Sequence, residues 1–129
     1  MKKTFHKLEA GDIVRVNLDP TIGDEKRKER FCLVLEGSQN HLNLIIVLPI
    51  TEDNGSRQSQ IFVPVDNLHK ANLFKPSVID CYQIRTISTK RLRNTVEGGF
   101  KFGSVSPRVL FEVRKTLSRI LDIDEEHLL

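Results

Sequence analysis

The sequence predicts a mainly β fold with helical additions, an α+β domain whose short strands bend into a small barrel closed by a C-terminal helix. Five or six short runs with strand character, most of them punctuated by Gly, Pro, Asn or Asp, occupy the chain before Ser104. A single sustained three-and-four apolar repeat follows Ser106. No internal repeat or low-complexity linker divides the 129 residues, a length that suits one domain with a real core.

The elements follow in order. Residues 1–9 are polar and read as a flexible N-terminal segment, with residues 10–129 as a single domain. In Gly11 to Leu18, Val14, Val16 and Leu18 alternate with Ile13, Arg15 and Asn17, the two-residue period of a strand with one face inward. Phe31 to Gly37 alternates less cleanly and belongs nearer the centre of the sheet. Leu42 to Thr51 is the most apolar strand, and Pro49, which cannot donate to a ladder, should mark its end or a bulge. Glu52 to Gln60 is an exposed loop. Gln60 to Val65 resumes as a strand, with Pro64 suggesting an edge, and Asn67 to Pro76 is a connection. Ser77 to Arg85 is read as one further strand, Ser88 as the cap of a helical turn over Thr89 to Leu92, and Val96 to Phe102 as a short strand.

Ser106 followed by Pro107 is a helix start, because serine caps and proline's missing N–H costs nothing in the first turn. Val109, Leu110, Val113, Leu117, Ile120 and Leu121 form one apolar stripe, with Arg108, Arg114, Lys115 and Arg119 around it. A helix that closes the barrel explains this pattern; contact with a membrane or RNA is the alternative.

Composition bounds the function. Apolar residues make up 39% and charged residues 29%, which fits a small domain with much exposed surface. The formal charge of +3, from 20 basic and 17 acidic residues, permits nucleic-acid binding without establishing it, since local arrangement sets the field. Cys32 and Cys81 are the only cysteines and both sit in apolar runs. They read as buried thiols in a reducing compartment, not as a zinc site or a disulfide scaffold. No run approaches about 18 apolar residues, so no membrane span is expected. The first ten residues lack the apolar core of a secretory signal, which makes the cytoplasm the expected location.

Candidate chemistry lies in the polar segments. There is no HExxH, CxxC or GxxxxGK[ST] motif, and His6, His41, His69 and His127 have no neighbour at metal spacing. Neither a metal nor another cofactor is expected. Between the first two strands stands DPTIGDEKRKER, with seven consecutive charged residues from Asp24 to Arg30. Such a cation-rich loop on a barrel suits a polyanion, or is simply solvated. Arg30 stands where this loop enters a strand, and Thr51 ends the most apolar one. If the strands are neighbours, a guanidinium fork and a hydroxyl share a rim, where both donate to a phosphate. The alternative pairs Arg30 with Glu29 or Asp12 and leaves Thr51 to cap a turn.

Three blocks carry a resemblance. GDIVRVNLDPTIGDEKRKER, the PIT of Pro49 to Thr51, and SVIDCYQIRTISTKRL from Ser77 to Leu92 resemble, in order and spacing, the MazF/PemK family of toxin endoribonucleases. The resemblance covers about residues 10 to 121. It implies an SH3-like barrel with helices, a homodimer, and a cognate antitoxin protein as partner. It also implies metal-independent cleavage of single-stranded RNA that leaves 2′,3′-cyclic phosphate and 5′-hydroxyl ends. Carried over by position, the catalytic residues are Arg30 and Thr51, and the RNA-binding residues are Lys26, Arg27, Lys28, Tyr82, Gln83 and Arg85. Tyr82 either stacks on a base or packs as a core aromatic; Lys90, Arg91 and Arg93 either extend a cationic track or solubilise a turn.

The sequence also departs from the family pattern. Arg30-Phe31 stands where Arg-Pro is common, and Lys26-Arg27-Lys28 replaces a neutral Gln-Gly-rich loop. Asp24, Asp80 and Tyr82 occupy the places of the PemK branch's His, Arg and Asp. Two other functions stay open: a catalytically weak or inactive nucleic-acid-binding regulator, and a toxin that acts through a protein surface.

Overall fold

A computed structural model describes residues 7–25, 28–37, 42–55 and 60–123. Its strands are β1 (Asp12–Asn17), β2 (Glu29–Glu36), β3 (Leu44–Glu52), β4 (Phe62–Pro64), β5 (Ser77–Asp80), β6 (Arg85–Ser88) and β7 (Gly103–Ser104). Helix α1 (Leu68–Ala71) follows β4, and α2 (Pro107–Ile120) follows β7. The strands form a half-barrel in the order β4-β5-β3-β2-β1-β7, with β6 also paired to β3, and every recorded pairing is antiparallel. As expected, β2 is central and β4 is an edge.

Both faces of the sheet are covered. Val14, Val16, Leu18, Cys32, Val34, Ile45, Val47, Ile87 and Leu92 form one buried cluster. Ile13, Leu33, Leu48, Ile50 and Ile79 form the other, against Val109 and Val113 of α2. The alternation predicted for β1 therefore has its inward face right, but Ile13 on the opposite face is fully buried too, because α2 lies over it.

The structure corrects several expected elements. β3 runs through Pro49 to Glu52. Pro49 marks a change of neighbour, between the end of the β6 ladder at Val47 and the start of the β5 ladder at Ile50. The strand expected over Ser77 to Arg85 is two strands, broken where the Asp80 carboxylate accepts the Tyr82 amide (3.1 Å). Val96 to Phe102 holds turns, and only Gly103 and Ser104 pair with β1. A Cβ at Gly103 would lie 2.3 Å from the Ala71 carbonyl oxygen, so this close approach of α1 to the sheet admits only glycine. α1 itself lies within the expected connection; Asn67 caps it by accepting from the Lys70 amide (3.0 Å).

The C-terminal helix forms as predicted. Ser106 Oγ accepts from the Val109 amide (3.2 Å) and donates to the Asp66 carboxylate. Leu110, Leu117 and Ile120 extend the buried stripe, but Leu121 falls at the helix end and is half exposed.

Candidate active site

Strand register assembles the site. Arg30 is paired with Val16, and Cys32 with Pro49. The β2–β3 ladder ends at Cys32 and Pro49, and Arg30 and Thr51 each lie two residues beyond that pair, at the ends of their strands. Residues paired across a sheet share a face, so Arg30 and Cys32 stand on the side of Val16, Val47 and Pro49. Arg85 joins them, because it is paired with Val47. The alternation that buries Val14 and Val16 thus delivers two guanidiniums and one hydroxyl to the same face.

Thr51 is buried, with 7% of its surface exposed, and Arg30 is partly so. Thr51 lies within β3, opposite Val78, and is not a turn cap. Beneath the pair lies Cys32, whose thiol is pushed up from 9.0 to about 12 by burial; Arg30 first and then Arg85 pull it partly back. Glu29, on the opposite face of β2, is engaged by Arg93 and, at 3.8 Å, by Arg15. Asp12 pairs with Lys101 (3.3 Å).

The segment around β6 holds the charged loop in place. Arg85 Nη1 donates to the Leu18 carbonyl (2.8 Å) and Gln83 Nε2 to the Asp24 carbonyl (3.2 Å). Arg91 Nη1 donates to the carbonyls of Asn17 (3.2 Å) and Asp19 (2.6 Å). The loop closes on itself through the Leu18 amide to the Lys28 carbonyl (3.0 Å) and the Lys28 amide to Asp19 Oδ1 (3.1 Å). Lys28 adopts φ 68°, a left-handed conformation that turns the chain into β2.

Between this loop and the β5–β6 turn opens a cleft of about 440 Å³, walled by Ile22, Asp24, Glu25, Tyr82, Gln83 and Arg85 over a floor of Val47 and Pro49. Tyr82 is 67% exposed, which removes the core-aromatic alternative and leaves its ring available at the rim.

The residues singled out from sequence thus divide into groups. Arg30, Thr51 and Arg85 share a face, while Tyr82 and Gln83 edge the neighbouring cleft. Asp80 is buried, 3% exposed, and shapes the turn that carries Tyr82. Lys28 contributes its backbone to loop closure, and Lys26 and Arg27 lie outside the described residues. Sequence reasoning missed the anchoring by Arg91 and the contribution of Ile22 and Glu25 to the cleft. Arg91 meets its acceptors 72 and 74 residues away, beyond any local pattern. Among the described residues no group of three or more His, Cys, Asp or Glu is placed to hold a metal ion. No helix among them is long and apolar enough to cross a membrane.

A family profile described as PemK-like, MazF-like toxin of type II toxin-antitoxin system matches residues 9–121, and the chain belongs to this family. It is 31% identical over 117 residues to Endoribonuclease PemK of Escherichia coli, covering 88% of this chain and 82% of that protein. Its fold matches MazF from Deinococcus radiodurans with a TM-score of 0.73 at 22% identity, over 92% of this chain and 99% of the other. A Mycobacterium tuberculosis MazF toxin superposes with a TM-score of 0.66 at 26% identity, over 88% and 98% of the two chains. A MazE–MazF structure from Deinococcus radiodurans is similar as well, with a TM-score of 0.66 at 20% identity, over 92% and 99%.

Proposed function

We propose that this chain is a metal-independent endoribonuclease, the toxin of a toxin–antitoxin pair, that cuts single-stranded RNA by transesterification. The ribose 2′-oxygen attacks the adjacent phosphorus, the bond to the 5′-oxygen breaks, and a 2′,3′-cyclic phosphate and a 5′-hydroxyl result. The 2′-hydroxyl proton is lost and the departing 5′-oxygen gains one. Arg30 supplies a charged fork to the non-bridging oxygens as negative charge builds on them, and Thr51 adds a hydroxyl donor. An arginine stays protonated at neutral pH, so charge stabilisation is its main contribution, ahead of proton abstraction.

The observation that supports this reading is that Arg30 and Thr51 fall on one face, each two residues beyond the Cys32–Pro49 pair, in a chain of this family. Membership also supports an SH3-like barrel as the fold type, a homodimer as the working unit, a cognate antitoxin as partner, and action in the cytoplasm. The family match over residues 9–121 supports a single domain from residue 10 onward; of the segment expected to be flexible, residues 1–6 lie outside the described residues and Leu8 is buried in a core cluster. Purified protein incubated with unstructured RNA in EDTA tests the function. Fragments ending in cyclic phosphate are expected; RNA that is bound but left intact would favour a binding regulator instead.

A further inference from the structure

We infer that the cleft lined by Asp24, Tyr82 and Arg85 selects a nucleobase carrying an exocyclic amino group, with Asp24 as its specificity-determining residue. This rests on the reading of the chain as an RNA-cleaving toxin, and names what that site recognises next to the scissile phosphate.

The chemistry of the walls argues for a base over a phosphate. Asp24 and Glu25 bring two carboxylates to the cleft against the single guanidinium of Arg85, whose Nη1 is already committed to the Leu18 carbonyl. Among the described lining residues that balance favours an uncharged ring over an anionic phosphate. Apolar groups of Ile22, Val47 and Pro49 supply contact for a flat ring, and the exposed Tyr82 lies at the rim, where an aromatic face stacks on unpaired bases. The volume of about 440 Å³ falls in the range of small-molecule sites, roughly 300–1,000 Å³.

The two acids are not equivalent. Glu25 Oε1 accepts the Ile22 amide (2.6 Å) and so braces the loop. Asp24 is held through its backbone carbonyl by Gln83, and among the described residues nothing donates to its carboxylate. A fixed backbone with an acceptor-only side chain at a cleft reads amino donors. Adenine, cytosine and guanine offer one; uracil offers only its ring N3–H, flanked by two carbonyl oxygens that a carboxylate repels.

Binding of short 2′-O-methyl oligouridine, and of the same strand with one central cytidine, adenosine or guanosine, tests this without any cleavage. At least one amino-bearing strand should bind the wild-type protein about ten-fold more tightly than oligouridine, near the lower end of the discrimination given by a directed base contact. Asp24→Asn, whose amide both donates and accepts, should shrink that contrast to about three-fold or less, and Asp24→Ala should remove it. Tyr82→Ala should weaken every strand roughly ten-fold while keeping the contrast.

A contrast unchanged in both Asp24 variants overturns the inference, as does a preference for uridine or failure to bind any strand. Cleavage of the corresponding ribose strands is scored separately. Protein that cuts but shows no Asp24-dependent contrast loses the pocket and keeps the nuclease; protein that shows the contrast without cutting does the reverse.

Discussion

Replacing Arg91 tests whether the charged loop is built into the fold. Its Nη1 bridges the carbonyls of Asn17 and Asp19, just where β1 gives way to the loop. A hydrogen bond to a charged donor contributes about 1.5–3 kcal/mol where water is excluded. Arg91 is only half-buried, and both bonds leave one nitrogen, so they do not add. Arg91→Ala should therefore cost about 1–2 kcal/mol, a fall of about 1 M in the urea midpoint for a small domain. The loss should be local as well as global. The Leu18 amide, bonded to the Lys28 carbonyl across the loop neck, should exchange with solvent markedly faster. RNA cleavage should slow through kcat more than KM rises, because Arg30 lies on the strand that the loop feeds. An unchanged midpoint together with unchanged Leu18 exchange would refute the anchoring.

Two further outcomes are expected. Burial holds the Cys32 thiol at about 12 in the fold, against 9.0 for a free one. Above pH 9 the unfolded chain has lost a proton that the folded chain keeps, so stability falls with rising pH up to about 12, by about 1.4 kcal/mol per unit. Urea titrations of wild type and Cys32→Ala should diverge by about 2 kcal/mol in total between pH 8 and 10.5, most of it above pH 9; parallel curves would contradict it. Ser106→Ala removes the cap of α2 and a donor to Asp66, and should cost about 0.5–2 kcal/mol by the same method. A change below about 0.3 kcal/mol would mean that Pro107 alone starts the helix.

Much of the fold was legible because it rests on local pattern. The period of two in Val14, Val16 and Leu18, the Ser106-Pro107 start and the apolar stripe behind it each reflect geometry that a few residues specify. What was not legible depended on distant partners. Ile13 looked exposed until α2, nearly one hundred residues on, covered it. Pro49 reads as a strand end, yet a strand that changes neighbour needs a position outside either ladder on that side. The break after Asp80 hangs on one carboxylate folding back to the Tyr82 amide.

The site was legible to a similar degree. The junction of a charged run with a strand drew attention to Arg30, and the end of the most apolar strand to Thr51. That they fall on one face follows from pairing between strands, which no single segment encodes. Arg91 read as surface charge because its acceptors lie at the end of β1 and just past it, far away in the chain. Tyr82 carried two readings in the sequence, and exposure alone separated them.

The central claim is that Arg30 and Thr51 act on one phosphate. Single-turnover cleavage of a defined unstructured RNA in EDTA, by wild type, Arg30→Ala, Thr51→Ala and the double variant, tests it most directly. Arg30→Ala should slow the chemical step by about 10²–10³-fold and Thr51→Ala by about ten-fold or more. The double variant should lose clearly less than the product of the two, as coupled groups do. Cleavage by Arg30→Ala within about three-fold of wild type, or fully multiplicative losses, would show that the two residues do not share a phosphate.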